Sequence, residues 1–261
     1  YLIYVALTAL DLLFLLFRGM PLFDAVCTAF GTAGTGGFGI RNDSLASYSP
    51  YLQTVTTVFM LLFGVNFSCY YLLLMRQLRD VFRDEELRIY LIIVAGSVLL
   101  ITWDLRGLYA TVGQALHHAA FQVASIISTT GFATADFDLW PSFSKAILMV
   151  LMITGACAGS TAGGLKLARA LLLIKTLRRN ARQVLHPNRV QVVRDNGQVV
   201  SEKVLEHANA YFAAYIIIIL VSFLLISLDE FSLTTNFTAV LACFNNVGPG
   251  FDGVGPTCSF A

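Results

Sequence analysis

The sequence predicts an all-α membrane protein built from repeated units, each with a spanning helix, a short re-entrant helix, a glycine-containing turn and a second spanning helix. Of its 261 residues, 57% are hydrophobic and only 13% are charged, whereas soluble domains carry about 25% charged residues. Long apolar runs alternate with runs shorter than the ~20 residues that a spanning helix needs. A small polar turn with glycine follows each short run.

The first unit is predicted over residues 1–75. Its predicted parts are a spanning helix at 1–17, a short helix at 22–33, a first turn at 34–39 and a single long apolar helix at 51–75. Residues 76–88 carry several charges and are predicted to form a loop to the next unit.

The second unit is predicted over residues 89–177. Its predicted parts are a spanning helix at 89–103, a short helix at 111–127, a second turn at 128–132 and a long apolar run at 143–177. Residues 155–164, which we call the small-residue segment, interrupt that run with four glycines. Each glycine costs a helix about 1 kcal/mol relative to alanine, which favours unwinding. Small residues also let membrane helices pack closely, so both readings stay open on the residues alone.

A polar and basic linker is predicted at residues 178–206. Within it, residues 191–200 are predicted to form a β-hairpin around the Asn196-Gly197 pair, a favoured hairpin turn. A partial third unit follows at 207–261, with a spanning helix at 211–228, a short helix at 234–244 and a third turn at 245–250. Its second spanning helix is missing, and the chain begins inside an apolar run, so we expect it to be part of a longer protein.

The basic residues predict the orientation of the units in the membrane. Of the 17 Lys and Arg residues, 13 lie in the segments that link one unit to the next or at the adjoining helix end. Because such residues concentrate on the cytoplasmic side, these linkers are predicted inside and the turns are predicted to face outward.

The three turns favour cation permeation, without covalent chemistry. Non-helical backbone at membrane depth survives only when it is buried in protein or lines a watery cavity. A short helix that enters from outside directs the negative end of its dipole at the membrane centre, which favours cations. Glycine allows carbonyl oxygens to line up and replace the hydration shell of an ion. For any single turn, a glycine-rich helix crossing or an ordinary loop is the alternative.

The motifs Thr-Gly-Gly-Phe (35–38), Thr-Thr-Gly-Phe (129–132) and Asn-Val-Gly-Pro (246–249), together with the small-residue segment, resemble those of the Trk/Ktr/HKT superfamily of potassium transporters. Within it, the chain is most similar to the bacterial TrkH-type potassium-translocating subunits, over essentially its whole length. The resemblance implies a pore-forming subunit with four helix–pore-loop–helix units around a pseudo-fourfold pore. This chain would supply the second unit, the third and part of the fourth.

The resemblance also implies the site residues. Potassium would bind beside Gly37, Gly131 and Gly248, in a filter formed by Thr35, Gly36, Gly37, Phe38, Thr129, Thr130, Gly131, Phe132, Asn246, Val247, Gly248 and Pro249. An intramembrane gate would consist of Gly155, Ala156, Cys157, Ala158, Gly159, Ser160, Thr161, Ala162, Gly163 and Gly164. The three turns differ from one another, so we expect weaker selection of K⁺ over Na⁺ than in a channel with four identical strands.

The resemblance further implies a homodimer in the bacterial inner membrane, with a cytoplasmic nucleotide-sensing regulatory subunit near the basic linker. It implies no covalent cofactor, with K⁺, and possible competitors such as Na⁺ or Rb⁺, as the transported ions. The alternative within transport is a K⁺ symporter coupled to Na⁺ or H⁺. A membrane-embedded hydrolase is the alternative of another class, with Ser128 and either His117 or His118 as its only nearby candidates.

Two weaker signals remain. Asp43, Asp136 and Asp252 each follow a filter glycine by a few residues. They either form a carboxylate ring that concentrates cations at the outer mouth or cap turns, as aspartate often does. His117 and His118 are adjacent on a predicted helix and point about 100° apart, so a structural role is expected for them rather than joint metal binding.

Overall fold

Helices make up most of the fold. The computed structural model describes residues 2–186 and 191–257. The helices are α1 (Leu2–Phe17), α2 (Leu22–Ala33), α3 (Pro50–Phe63), α4 (Phe67–Leu74), α5 (Leu78–Arg83), α6 (Glu85–Asp104), α7 (Val112–Ile127), α8 (Ser142–Thr154), α9 (Leu167–Leu185), α10 (Glu202–Ile226) and α11 (Leu233–Phe244). The parts of the basic linker at 187–190 and of the third unit at 258–261 lie outside the described residues.

Two described helices, α6 and α10, are by themselves long and apolar enough to cross a membrane. The pair α3 and α4 would make a third span if the bend between them is counted as a break within one span. Helix α10 exposes a wide apolar surface, which is typical of contact with lipid or another apolar partner. That surface includes Ile216, Ile217, Ile218, Leu220, Val221, Leu224 and Leu225.

The short helices lie inside their units, as the repeat predicts. Helix α2 packs on α1 and α3, α7 packs on α6 and α8, and α11 packs on α10. Helix α7 also contacts α3 of the first unit, and nine of its 16 residues are buried. It is therefore the central element that joins the first two units.

The predicted single helix over residues 51–75 is wrong, because the chain bends by 90° between α3 and α4. Asn66 starts α4 by accepting a hydrogen bond from Ser68 N at 2.9 Å. Gly64 O accepts from Cys157 N at 3.1 Å, and Phe67 N donates to Gly159 O at 3.4 Å. The small-residue segment thus forms hydrogen bonds with the backbone groups that the bend leaves without helical partners. A contact distant in sequence therefore decides that this apolar run does not form one straight helix.

The predicted charged loop at residues 76–88 is also wrong in detail. Residues Leu78–Arg83 form α5, and α6 begins at Glu85 rather than at Ile89. The Asp84 side chain caps α6 by accepting from Leu87 N at 2.8 Å. Glu85 and Glu86 in the first turn interact favourably with the positive end of the helix dipole. These charged residues therefore stabilise the start of α6 instead of forming a loop.

One open alternative is decided and one local prediction is confirmed. Of the two alternatives for the small-residue segment, the structure has the unwound one, since α8 ends at Thr154 and Gly155 has a φ of +64°. In the linker, β1 (Arg194–Asp195) pairs antiparallel with β2 (Gln198–Val199). Asn196 and Gly197 form the turn with positive φ values of 47° and 80°, as the Asn-Gly pair predicts.

Candidate functional site

The three turns share one backbone geometry. After each short helix, a residue with positive φ is followed two positions later by a glycine with positive φ. The pairs are Thr35 (51°) and Gly37 (64°), Thr129 (54°) and Gly131 (88°), and Asn246 (57°) and Gly248 (102°). A residue other than glycine rarely adopts this conformation, so its recurrence at three equivalent positions shows that the surroundings hold it there.

Hydrogen bonds at the helix ends explain the repeat. Gly36, Thr130 and Val247 donate their N–H groups to carbonyls five residues back, at 2.8, 2.9 and 2.8 Å. The residue before each of them donates to the carbonyl three residues back, at 3.1 to 3.3 Å. This pair of bonds defines a Schellman ending, in which the positive-φ residue reverses the chain. Each short helix therefore ends with the same geometry, and the residues that follow the three helices lead into one common region.

The turns pack directly on one another through their backbones. A Cβ atom on Gly37 would lie 1.8 Å from Thr130 O, and one on Gly131 would lie 2.2 Å from Val247 O. Real Cβ atoms do not approach so closely, so glycine is required at both positions. The glycine of one turn lies against the carbonyl that precedes the glycine of the next turn, and this contact repeats with the same sense from the first turn to the third.

One cavity of about 310 Å³ is bounded by all three turns. Its lining includes the predicted filter residues Gly36, Gly37, Phe38, Thr130, Gly131, Val247, Gly248 and Pro249. The other predicted filter residues do not line it: Thr35, Thr129 and Phe132 are buried behind the turns, and Asn246 is exposed but lies outside the lining. Phe38 leaves 88% of its surface exposed, so it stands at the cavity's edge and does not pack in the core.

The threonine hydroxyls of the second turn are used inside the protein. Thr129 Oγ1 accepts from Gly163 N at 2.6 Å, and Thr130 Oγ1 is 2.7 Å from Ser128 Oγ. Ser125 Oγ donates to Phe132 O at 2.6 Å and fixes the end of the turn. These hydroxyl groups thus stabilise the turn from within the protein, and Thr130 and Gly131 are among the residues that line the cavity.

The small-residue segment contacts all three turns on the side of their helix ends. Thr35 Oγ1 donates to Thr161 O at 3.4 Å, and Gly163 N donates to Thr129 Oγ1. A Cβ on Gly163 would lie 2.2 Å from Asn245 O, so the segment also lies against the third turn. Lys166 Nζ supports the segment by donating to Ser160 O at 3.2 Å and to Ala162 O. The segment therefore lies directly next to the convergence of the turns.

The three aspartates do not line the cavity, whose rim instead includes Arg41 and Asn42. Asp136 Oδ1 accepts from Asp138 N at 3.0 Å, which is turn capping, and Oδ2 accepts from Thr257 Oγ1. Asp252 accepts from the hydroxyls of Ser232 and Thr235, which hold the pKa of its carboxyl below the usual range. The structure favours the capping interpretation for Asp136, whereas Asp252 connects its turn to the start of α11 through two hydroxyl groups.

Asp43 is exposed, and its backbone carbonyl accepts from Ala46 N. The role of the three carboxylates as a cation-attracting ring stays a prediction.

Each histidine ring has a side-chain partner within the protein, which agrees with the structural role expected for the pair. His117 Nε2 lies 2.7 Å from Gln53 Oε1, and His118 Nδ1 lies 3.1 Å from Thr134 Oγ1. Ser128 Oγ donates to Ala124 O at 2.6 Å, so its hydroxyl hydrogen is directed at a helix carbonyl rather than at a histidine. Residues 2–186 and 191–257 contain no group of three or more His, Cys, Asp or Glu side chains that could hold a metal ion.

Asn245 is a residue of the site that the sequence analysis did not single out. It is the last residue before the reversal in the third turn, and it is 1% exposed. Its Oδ1 atom accepts from Tyr215 Oη of α10 at 2.9 Å, which ties the third turn to a spanning helix. A polar residue directly before a predicted reversal was the available signal, since Ser128 has the same place in the second turn.

Comparison with known proteins agrees with the predicted fold class and family. A family model described as TrkH, cation transport protein, matches residues 2–260. The Trk system potassium uptake protein TrkH of Salmonella typhimurium is 37% identical over 96% of this chain and 53% of its own length. The Trk system potassium uptake protein TrkG of Escherichia coli is 32% identical over 89% of this chain and 49% of its own length.

The crystal structure of the potassium transporter TrkH from Vibrio parahaemolyticus superimposes with a TM-score of 0.89 at 30% identity, over 97% of this chain and 55% of that chain. The present chain thus spans about half the length of the relatives it matches. The family match over nearly every residue, together with this structural agreement, shows that the chain belongs to the TrkH family of cation transport proteins.

Proposed function

We propose that this chain is part of the pore-forming, potassium-translocating subunit of a bacterial Trk-type uptake system, and that it conducts ions without covalent chemistry or a covalent cofactor. The observation that carries the proposal is the packing of three equivalent turns, carbonyl against glycine, around one cavity. The similar proteins named above are potassium uptake proteins.

The ion ligands in this proposal are backbone carbonyls beside Gly37, Gly131 and Gly248. The hydroxyls of Thr129 and Thr130 have partners inside the protein, which supports the carbonyls as the ion-facing groups. The C-terminal ends of α2, α7 and α11 lead into the cavity and bring the negative ends of their dipoles near it. A cation is therefore favoured there even though none of the described residues that line the cavity has a carboxylate side chain.

A fourth turn from outside this chain would complete a pseudo-fourfold filter. Gly37 and Gly131 each lie against a neighbouring carbonyl, whereas the nearest described atom to a Cβ on Gly248 would be Gly131 Cα at 4.0 Å. The side of Gly248 that is equivalent to the filled sides of Gly37 and Gly131 thus has room for another carbonyl. Because the known three turns differ in sequence, we expect Na⁺ and Rb⁺ to compete measurably with K⁺.

The small-residue segment is the proposed gate. Its contacts with all three turns support a position in the conduction path, below the filter. Four residues flanking or within it have positive φ values, namely Gly155, Gly159, Gly164 and Lys166. Such a backbone can change course without breaking a regular helix, which suits a segment that moves when the pore opens.

The proposed surroundings follow the charge distribution. The turns face the outside of the bacterial inner membrane, and the linker with its hairpin lies in the cytoplasm. Exposed Arg178 and Arg182 on the last turns of α9 offer a positive surface on the helix whose Lys175 contacts the hairpin. We propose this surface as the region that a cytoplasmic nucleotide-sensing subunit contacts, in a transporter that works as a homodimer.

Coupling of K⁺ to H⁺ is the second candidate, and one observation favours it. Asp11 in α1 is 0% exposed, and neither of its carboxylate oxygens has a hydrogen-bond partner among the described residues. An ionisable residue inside a membrane protein often marks a proton pathway. Asp11 does not line the cavity between the turns, however, so simple permeation remains the primary proposal.

The test is K⁺ flux through the full-length transporter in liposomes, with growth of a K⁺-uptake-deficient bacterium at low K⁺ as the cellular readout. Permeation predicts that flux follows the K⁺ gradient and stays unchanged when a pH or Na⁺ gradient is imposed at constant membrane potential. Flux driven by a pH gradient, and abolished by Asp11→Asn, would establish the proton-coupled alternative. Absence of both flux and growth rescue would reject the potassium-transport proposal.

A further inference from the structure

A single carboxylate outside the site holds the small-residue segment and the helix that follows it. Glu86 Oε1, from the first turn of α6, accepts hydrogen bonds from Ala158 N at 2.6 Å and from Ala168 N at 3.0 Å. Ala158 lies in the segment, and Ala168 lies in the first turn of α9. One side chain therefore bridges the segment to the helix on its cytoplasmic end.

Neither of these N–H groups has a helical partner. The first N–H groups of a helix lack intrahelical acceptors, and the N–H groups of an unwound segment have no helical acceptors because no helix is present there. Because a carboxylate acceptor makes a charge-assisted hydrogen bond, Glu86 stabilises this arrangement more strongly than a neutral group would. The segment's present position thus depends on where the first turn of α6 places Glu86.

The same turn of α6 is attached to the linker hairpin. Asn196 at the hairpin tip donates to Asp84 Oδ2 at 3.1 Å and accepts from Glu85 N at 2.8 Å. Lys175 of α9 bonds to Glu85 Oε2 and to Asp195 Oδ1 of the hairpin. Residues 84, 85 and 86 are consecutive, so the first two hold the hairpin and the third holds the small-residue segment.

We infer that Glu86 is the positioning residue that couples the hairpin to the small-residue segment. A movement of the hairpin displaces Asn196 and Asp195, and through their hydrogen bonds it also displaces the start of α6. Glu86 then withdraws from Ala158 N and Ala168 N, and the segment loses the support that keeps Gly163 against the second and third turns. The inference rests on the proposed role of the segment as the gate and extends it to regulation from the cytoplasmic side.

The chain supplies a reporter for the position of the segment. Cys157 lies within it, is 0% exposed and is a free thiol. In the full-length transporter with every other cysteine replaced, the rate at which a cationic methanethiosulfonate reagent modifies Cys157 measures how often the segment leaves its site. This rate does not depend on ion flux.

Glu86→Ala is expected to raise the Cys157 modification rate at least about tenfold, because it removes both accepted hydrogen bonds and the loss of even one charge-assisted bond corresponds to that factor. Glu86→Gln keeps a neutral acceptor oxygen and loses the charge, so its rate is expected to lie between those of the wild type and Glu86→Ala. Asn196→Gly keeps the positive-φ turn, removes the links to residues 84 and 85, and is expected to raise the rate. Added to Glu86→Ala, it is expected to have no further effect, because both act through one connection.

The matched controls are Glu206→Gln, which removes an exposed carboxylate from the first turns of α10, and Gln198→Ala in the hairpin; both are expected to leave the rate unchanged. An unchanged rate in Glu86→Ala, or effects of Glu86→Ala and Asn196→Gly that multiply independently, would overturn the inference. If the wild type conducts no K⁺ but the rates follow the expected order, the proposed function fails and the coupling stands. If K⁺ flux is normal and the rates do not move, the coupling alone fails.

Discussion

Gly131→Ala tests whether the turns form a filter through their backbones. The new Cβ would lie 2.2 Å from Val247 O, and real Cβ atoms stay at least 3.0 Å from such an atom. The carbonyl oxygen of the third turn therefore has to retreat by about 0.8 Å. Alanine at a φ of +88° adds a backbone cost of about 1–3 kcal/mol. Both effects fall on the atoms proposed to contact the ion.

The expected result is a fall in K⁺ flux of about tenfold or more, since ~1.4 kcal/mol on a barrier is a factor of ten. We also expect a change in the ratio of K⁺ to Na⁺ flux, because the spacing of the carbonyls changes. The assay is Rb⁺ and Na⁺ uptake into liposomes that contain the full-length transporter. Gly96→Ala is the matched control: it adds the same methyl in α6, where nothing lies within 4 Å. Wild-type flux and selectivity in Gly131→Ala would refute the backbone filter.

Three further predictions concern the segment and its surroundings. Gly163→Ala brings a methyl group to within 2.2 Å of a carbonyl oxygen of the third turn, and by displacing the gate it should raise K⁺ flux in the absence of the regulator. The control Gly107→Ala, whose new methyl meets nothing within 4 Å, should leave the flux unchanged. Equal flux in the two variants would contradict this prediction. Lys166→Met removes two hydrogen bonds to carbonyl groups of the segment and should lower the free energy of unfolding by about 1–3 kcal/mol. Thermal denaturation in detergent measures this loss, with Lys203→Met at an exposed position as the control. Asp252→Asn should lower the melting temperature without altering the K⁺ concentration for half-maximal flux, because its carboxylate accepts hydrogen bonds from the Ser232 and Thr235 hydroxyls and so connects the turn to the start of α11. A shift in that concentration that disappears at high salt would favour the carboxylate ring instead.

The repeated unit was predictable because its signals are local. A short apolar run followed by Thr35 or Thr129 and then glycine encodes a helix that stops in a Schellman reversal, and this ending depends on only six residues. The Asn196-Gly197 pair encodes its hairpin turn in the same way. Such elements form with the same geometry wherever the chain places them.

The bend between α3 and α4 was not predictable from its own residues. The run from 51 to 75 is apolar with a single glycine, Gly64, and that pattern fits one helix as well as two. What decides the outcome is the small-residue segment, about 90 residues later, whose Cys157 N bonds to Gly64 O. Tyr90 also lies so close that a Cβ on Gly64 would be 2.5 Å from its hydroxyl oxygen. Tertiary contact therefore selects the bend.

The site was predicted at the level of turns and not of individual atoms. The motif Thr129-Thr130-Gly131-Phe132 predicted a turn, and the structure has a turn there, but the residue types did not reveal that Thr129 supports the small-residue segment through its hydroxyl. Nor did they reveal that Phe132 is buried while Phe38, at the equivalent position of the first turn, is exposed. Equivalent sequence positions differ here because each turn has different neighbours.

The most direct test of the central claim is to locate the ion. Crystals or vitrified samples of the full-length transporter in Rb⁺ should show density beside Gly37, Gly131 and Gly248, within ligand distance of the backbone carbonyls, and anomalous scattering would identify it as Rb⁺. The density should disappear in Gly131→Ala and persist in Gly96→Ala. Rb⁺ bound at side-chain carboxylates away from the three turns, with none between the turns, would contradict the account.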